Sequence, residues 1–376
     1  MVGEIGKKCT GCNVCLAVCE KNAILLNKNS DGFWYPIIND DKCVKCNKCW
    51  KSCPIVEKKE NIEYNAVVTY VAKNKNENVR FKSSSGGIFH ALAMKILNNN
   101  GYVVGAALNA DMHSVQHIII NDFNMLEKIQ GSKYVQSFIS AEVYLKVVEF
   151  VKGGKDVLFS GTPCQISAIK KILLRDYKNF YTVDIVCHGV PSPLAWERYV
   201  DEMEKLKKDN LVNVNFRSKI HGWKKYEINL DFVNASYSQW FNKNCYGKSF
   251  INSIFLRECC YDCRFKGFPR VGDISLGDFW GIEEKYDDDK GTSLVIANTK
   301  KGKVLLTEIR NEICFDEISI TKAYPGNYAL LVSSKRCESR EEAFEMLKKD
   351  NSSFSSVVNK VTHVPLIKKV FNKIKR

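Results

Sequence analysis

Residues 7–24 read "KKCTGCNVCLAVCEKNAI", and residues 41–57 read "DKCVKCNKCWKSCPIVE". Each run sets four cysteines at steps of three, three and four: Cys9, Cys12, Cys15 and Cys19, then Cys43, Cys46, Cys49 and Cys53. A cubane [4Fe-4S] cluster needs a thiolate at each of four iron corners, and a loop that advances by threes wraps only three of them. The fourth must arrive from elsewhere. Soft sulfur ligands also suit tetrahedral zinc, but zinc sites use separated C-x2-C pairs rather than a continuous run.

The second run, closed by Pro54, resembles the C-x2-C-x2-C-x3-C-P pattern of bacterial two-cluster ferredoxins; the first has Glu20 where the proline would stand. In that family the last cysteine of each run crosses to the other cluster. The resemblance therefore implies one cluster on Cys9, Cys12, Cys15 and Cys53, and another on Cys43, Cys46, Cys49 and Cys19, interlocked in one α+β ferredoxin-like head over residues 1–58.

The 376 residues are 45% hydrophobic and 26% charged, which fits a small domain plus a larger core. Sixteen cysteines would suit a secreted disulfide framework, but no signal peptide precedes Cys9 and the spacing is that of metal ligands, so a reducing cytoplasmic compartment is expected. No run reaches the roughly 18 consecutive apolar residues of a membrane-spanning helix. The net charge of +14, from 56 Lys and Arg against 42 Asp and Glu, would fit nucleic acid, a membrane surface or acidic redox partners. The lysines are scattered and no nucleic-acid module is present, so no nucleic-acid partner is expected.

The polar stretch "EKKENIEYN", residues 57–65, separates the head from the rest of the chain, with a linker read at 59–65. From Ala66, β-branched runs ("AVVTYVA", "YVVGAAL", "DVLFSG", "YTVDIV", "SLVIAN") alternate with amphipathic stretches ("GIFHALAMKILNN", "SAEVYLKVVEFVK", "QISAIKKIL", "PLAWERYVDEMEKLKK", "KGKVLLTEIRNE"). Strands alternating with helices predict an α/β domain over 66–330 with a mixed, partly parallel sheet, followed by a basic helical tail over 331–376. In that tail Leu366, Ile367, Val370, Phe371 and Ile374 share one helical face, which would dock on the protein or make at most peripheral membrane contact.

Ligands of such sheets bind beyond the carboxyl ends of strands. "DVLFSGTPCQISAIKKIL" and "YTVDIVCHGVPSPLAWERY" place Cys164 and Cys187 there, each between a strand and a helix. Farther on, Cys259, Cys260 and Cys263 stand close together, the last two as C-x2-C. Spacing alone leaves Cys164 and Cys187 as ordinary buried thiols or as two corners of a third site completed by Cys260 and Cys263, with Cys259 as a spare. "SSSGG" lies between a strand and a helix, so Ser84, Ser85, Gly86 and Gly87 could offer backbone N–H groups to a phosphate, or form a plain turn. Cys245, Cys314 and Cys337 fit no cluster spacing.

The segments "KSSSGGIFHALA", "GSKYVQS", "SGTPCQI", "DIVCHGVPSP", "CYDCRFK" and "RVGDISLGDFWG" occur in the order found in the beta subunit of coenzyme F420 hydrogenase and its relatives. The resemblance runs from Cys9 to about Thr299; one departure is Cys259, where relatives commonly have serine. It implies a non-covalent flavin, usually FAD, and a third [4Fe-4S] cluster on Cys164, Cys187, Cys260 and Cys263. Ser132, Lys133, Tyr134, Gln136 and Thr162 join the four "SSGG" residues as cofactor contacts, and His188 would donate to a cluster sulfur or the flavin. No catalytic residue is assigned. The function implied is a flavin-dependent iron-sulfur oxidoreductase of an anaerobe, with reduced coenzyme F420 as co-substrate where the organism makes it, and ferredoxin or another redox protein as electron partner. The alternatives are a non-catalytic electron-transfer subunit of a larger redox complex, a ferredoxin-fed reductase associated with surface polysaccharide synthesis, and an iron-sulfur scaffold that has lost its flavin.

Overall fold

In the computed structural model, the described residues are 2–56, 67–349 and 351–362. The expected linker and the amphipathic face from Leu366 to Ile374 lie outside them. The head contains α1 (Val14–Val18), the antiparallel hairpin β1 (Ile24–Lys28) and β2 (Trp34–Ile38), and α2 (Lys48–Lys51). Each cysteine run curls at the same place: Asn13 and Asn47, directly after the second cysteine, adopt φ of 63° and 59°. Asparagine is one of the few residues with a side chain that enters this left-handed region readily.

The body continues with β3 (Val68–Asn74), α3 (Glu77–Lys82), α4 (Ile88–Asn98), β4 (Tyr102–Leu108), β5 (Val115–Ile120), α5 (Leu126–Ile129), β6 (Ser137–Phe138), α6 (Ala141–Lys152), β7 (Val157–Gly161) and α7 (Pro163–Leu173). Then come β8 (Phe180–Ile185), α8 (Pro193–Lys207), β9 (Leu211–Ser218), β10 (Glu227–Phe232), β11 (Ser236–Trp240) and α9 (Cys245–Ile251). The last elements are β12 (Ile274–Asp278), β13 (Ser293–Ala297), α10 (Lys300–Glu308), β14 (Ile313–Ile318), α11 (Arg340–Leu347) and α12 (Phe354–Thr362). Helix starts follow their caps: Ser140 accepts from Val143 N ahead of α6, and Ser192 with Pro193 opens α8.

Nine strands form one mixed sheet in the order β14-β3-β13-β12-β8-β7-β4-β5-β6, and β11-β10-β9 form a small antiparallel sheet. Strands β4, β7, β8 and β12 are parallel neighbours, whereas β13, β3 and β14 add antiparallel pairs on one side and β5 on the other. The α/β expectation holds, and every strand read from the sequence belongs to the large sheet. Central β13 is buried at all five positions, so its apolar run has no alternation.

One face of the sheet packs on α4 and α10 through Leu92, Ile96, Leu305 and Leu306, and the other on α6 and α7 through Tyr144, Val147, Ile166 and Ile169. Cys12 and Val14 of the head belong to that second core. The head is therefore welded to the body rather than hung from it. The boundary expected at 330 also falls inside a shared core, because Phe344, Leu347, Phe354, Val357 and Val358 are buried with Trp196 and Tyr199 of α8. Full burial of each such side chain contributes about 1.5–3 kcal/mol.

Because β7 and β8 are parallel, with Gly161 opposite Asp184, the chain leaves both at the same edge of the sheet. A buried pair anchors a third segment there: Arg270 Nη2 lies 2.6 Å from Asp184 Oδ1, and Gly272 N donates to Asp184 Oδ2 at 2.7 Å. This pins the segment after Cys263 to the strand that ends before Cys187. Replacing Asp184 with Ala leaves Arg270 buried without its partner and should cost about 3–5 kcal/mol, visible as a lowered melting temperature in anaerobic thermal denaturation. An unchanged melt would show that the pair is not a support.

Candidate functional site

None of the sixteen cysteines forms a disulfide. In the head they fall into two adjoining groups. Cys19, Cys43, Cys46 and Cys49 line one cavity of about 90 Å³. On the other side, burial pushes the Cys12 thiol up to about 12, with Cys9 and Cys53 adding to it. Cys15 is also raised, by burial first and then by Cys12, Cys9, Cys53 and Cys49. Cys15 packs with Cys19 and Cys49 in one apolar cluster, so the two groups adjoin. Thiols crowded and buried in this way resist ionising alone; positive metal is what would stabilise them as thiolates.

Beyond the sheet edge, Cys164, Cys187, Cys259, Cys260 and Cys263 line a second cavity, of about 400 Å³, with Thr10 and Ile55 of the head on its far wall. Cys164 opens α7, Cys187 follows β8, and the others come from the turn after Arg257. Burial raises Cys164 well above the thiol range and Cys187 to about 12. Cys259 and Cys260 share a hydrogen bond that holds Cys260 down and pushes Cys259 up. Val190 N donates to Cys260 Sγ at 3.5 Å, and Cys263 N donates to Ser333 Oγ. Cys245, Cys314 and Cys337 line neither cavity.

Thr162 Oγ1 lies 3.1 Å from Cys164 Sγ, which places it beside the thiols. His188 lines the same cavity, but its Nε2 is 3.2 Å from Phe250 O, an acceptor only, so this nitrogen carries the proton. Burial lowers its pKa to about 4 and keeps the ring neutral. Nδ1 is then an acceptor, and His188 cannot donate to a sulfur from it as the sequence reading expected.

The "SSSGG" and "GSKYVQS" segments meet at the same edge of the sheet. Ser132 donates to Ser84 Oγ from its N (2.7 Å) and Oγ (2.9 Å), and Arg217 Nη2 reaches Ser84 O. Gly87, at φ 81°, leads into α4 with no side-chain cap on the helix. Two expected contacts face elsewhere. Gly86 points into the sheet: its N donates to Ser293 Oγ, and a Cβ would stand 2.6 Å from Ala72 O, so no room for a phosphate exists there. Gln136 is turned to the head, with Nε2 on Gly11 O and Oε1 accepting from Arg257. Ser85 Oγ donates to Thr292 O, and the Tyr134 ring stacks on Phe250 at 4.4 Å while its hydroxyl accepts from Arg217.

Lys133 is the cation left over. Its Nζ donates to Gln130 O at 2.7 Å, no carboxylate pairs with it among the described residues, and burial lowers its pKa to about 7. Close by, His117 keeps Nε2 on Ser160 O while its buried Nδ1 has no partner. An anion would satisfy the lysine, and a hydrogen-bond donor the histidine nitrogen. Sequence reasoning missed His117, the buried Arg217–Asp278 pair (2.8 Å) and Lys219, whose Nζ holds the carbonyls of Arg80, Ser85 and Lys290. Asp278 stood within a quoted motif; Arg217 and Lys219 carry no local signal.

Residues 8–56 match a 4Fe-4S dicluster domain. No curated protein matches the chain. A solved structure of the xenon-derivatized F420-reducing [NiFe] hydrogenase complex from Methanosarcina barkeri is similar over 72% of this chain and 88% of that chain, with 18% identity and a TM-score of 0.47. Residues 69–142 match the N-terminal part, and residues 154–323 the C-terminal part, of the coenzyme F420 hydrogenase/dehydrogenase beta subunit. The two parts stand in order and span the body that holds both the thiol cavity and the serine-lysine edge, and the chain belongs to that family.

Proposed function

We propose that this chain is a flavin-dependent iron-sulfur oxidoreductase that exchanges two electrons at FAD with reduced coenzyme F420 or an organic substrate, and single electrons through [4Fe-4S] clusters with ferredoxin or another redox protein. The observation that carries the reading is contiguity. The outer thiols, including exposed Cys46, adjoin the inner group through Cys15, and Cys12 of the inner group lies close enough to Cys164 to raise it. This adjacency of the three thiol groups supports a route from the head to the edge of the sheet.

Cys9, Cys12, Cys15 and Cys53 would hold the inner cluster, Cys19, Cys43, Cys46 and Cys49 the outer one, and Cys164, Cys187, Cys260 and Cys263 the third. Lys133, Ser84, Ser132 and the uncapped first turn of α4 would hold the anionic part of the flavin, and His117 Nδ1 would accept a hydrogen bond from an ordered water or from an N–H of the ligand. A bound flavin supplies the link between two-electron and one-electron exchange. The chain's part is to place it, keep water from it and hold charge near it.

Anaerobically purified protein assayed for iron and flavin, then offered reduced F420, NADH and reduced ferredoxin, tests the whole reading. Bleaching of flavin and clusters together by a two-electron donor is expected; a cluster-loaded chain that retains no flavin would reject it. Within the third site, serine at Cys164, Cys187, Cys260 or Cys263 should each remove about four irons, while serine at Cys259 keeps them. Retained iron in Cys187→Ser with loss in Cys259→Ser would move a corner to Cys259.

Flavin affinity should also depend on pH in a fixed direction. The free lysine titrates at about 7 and an anion would raise it, so binding is strongest below pH 7 and weakens by up to about tenfold per unit above it. Flavin fluorescence titrations read this directly. Lys133→Met should weaken binding and flatten the profile without changing iron content.

A further inference from the structure

Arg257 is wholly buried, and among the described residues no carboxylate pairs with it. Its donors end on neutral acceptors instead: Nε on Cys9 O at 2.7 Å, Nη2 on Trp34 O at 2.9 Å, and Nη1 on Gln136 Oε1 at 3.2 Å. The guanidinium lies over Tyr35 at 4.2 Å and Phe33 at 5.3 Å. A buried charge is costly unless something of opposite sign answers it. Here the neighbouring matter of opposite sign is sulfur, first that of Cys9 in the first cysteine run and then that of Cys259 and Cys260.

The contacts converge on that run. Gln136, oriented by Arg257, donates to Gly11 O at 3.4 Å, and Tyr144 donates to Cys12 O at 2.7 Å. Gly11 sits at φ 69°, and a Cβ on it would stand 2.3 Å from Gln136 Nε2 and 2.9 Å from Arg257 Nη1. The loop from Cys9 to Cys12 is thus pressed against the pair.

We propose that Arg257 is a positioning residue for the cluster held by Cys9, Cys12, Cys15 and Cys53: its unneutralised cation fixes the Cys9–Cys12 loop and raises that cluster's reduction potential. The proposal rests on the assignment of those four cysteines to one cluster. Reduction adds one negative charge to a cluster, and a fixed cation at low dielectric stabilises the reduced form more than the oxidised one. Among the described residues the outer group has no buried arginine beside it: Cys46 is exposed, Lys48 is paired with Glu20 at 2.5 Å, and Lys21 and Lys45 on its cavity are exposed. An arginine acting only as a strut would change stability and leave potentials alone.

The test uses the full chain, purified anaerobically, with iron content measured first and EPR-monitored redox titration second; the inner signal is the one that Cys53→Ser alters. Arg257→Met should lower the midpoint of that signal most, shift the third-site signal less and leave the outer one in place, and Arg257→Lys should lower the inner midpoint less. Gln136→Glu sets a carboxylate against the guanidinium and should shift the same signal in the same direction with Arg257 still present. If Arg257→Met does not fold, Gln136→Glu decides. Fully loaded variants with unchanged midpoints would overturn the proposal. A wild-type chain lacking the roughly eight irons of the head would overturn the cluster assignment itself, and is recognised before any titration.

Discussion

Parallel pairing of β7 with β8 is the constraint on which the edge of the sheet depends. Parallel neighbours must both return by long crossovers, so both strands deliver their next residues to one edge, and two cysteines 23 positions apart become neighbours there. The Asp184–Arg270 pair then brings the segment after the third cysteine group to the same strand. Backbone direction decides where the thiols meet; the thiols decide only what they bind.

The same edge organises the polar groups. Strand β3 runs in the sense of β8, two antiparallel steps beyond β12, so the "SSSGG" turn also emerges at the carboxyl edge. Lys219 and Arg217 come from the end of β9 in the small sheet and bind carbonyls of Ser85 and Ser84. The small sheet thereby braces the turn. A lysine with no anionic partner and a histidine nitrogen with no donor lie within this braced frame, which gives a ligand fixed groups to meet rather than mobile ones.

How much of this was legible varies with the range of the interaction that makes it. The eight head cysteines read directly, because ligand spacing is local. The strands "DVLFSG" and "SLVIAN" read as well, since their apolar runs need no context. Strand β12 did not, being short and glycine-containing, nor did β9 to β11, whose partly polar faces give a weak pattern. Gln136 and His188 were found as polar residues in the right motifs yet assigned the wrong partners. Their true ones, Gly11 and Phe250, are 125 and 62 residues away in sequence. Gly86 was read as space for a ligand, when the space belongs to Ala72 and Ser293.

The grip on the first cysteine run also ties its shape to distant parts of the chain. Its partners Gln136, Tyr144 and Arg257 stand 125, 132 and 248 residues farther along the chain. Helices α11 and α12, which finish the core around Trp196, come later still. The carbonyls of the loop from Cys9 to Cys12 are claimed only once those later parts are in place. The head's first run therefore owes its final geometry to contacts made across almost the whole described chain, and a truncation that removes the later segments would leave that loop without its braces.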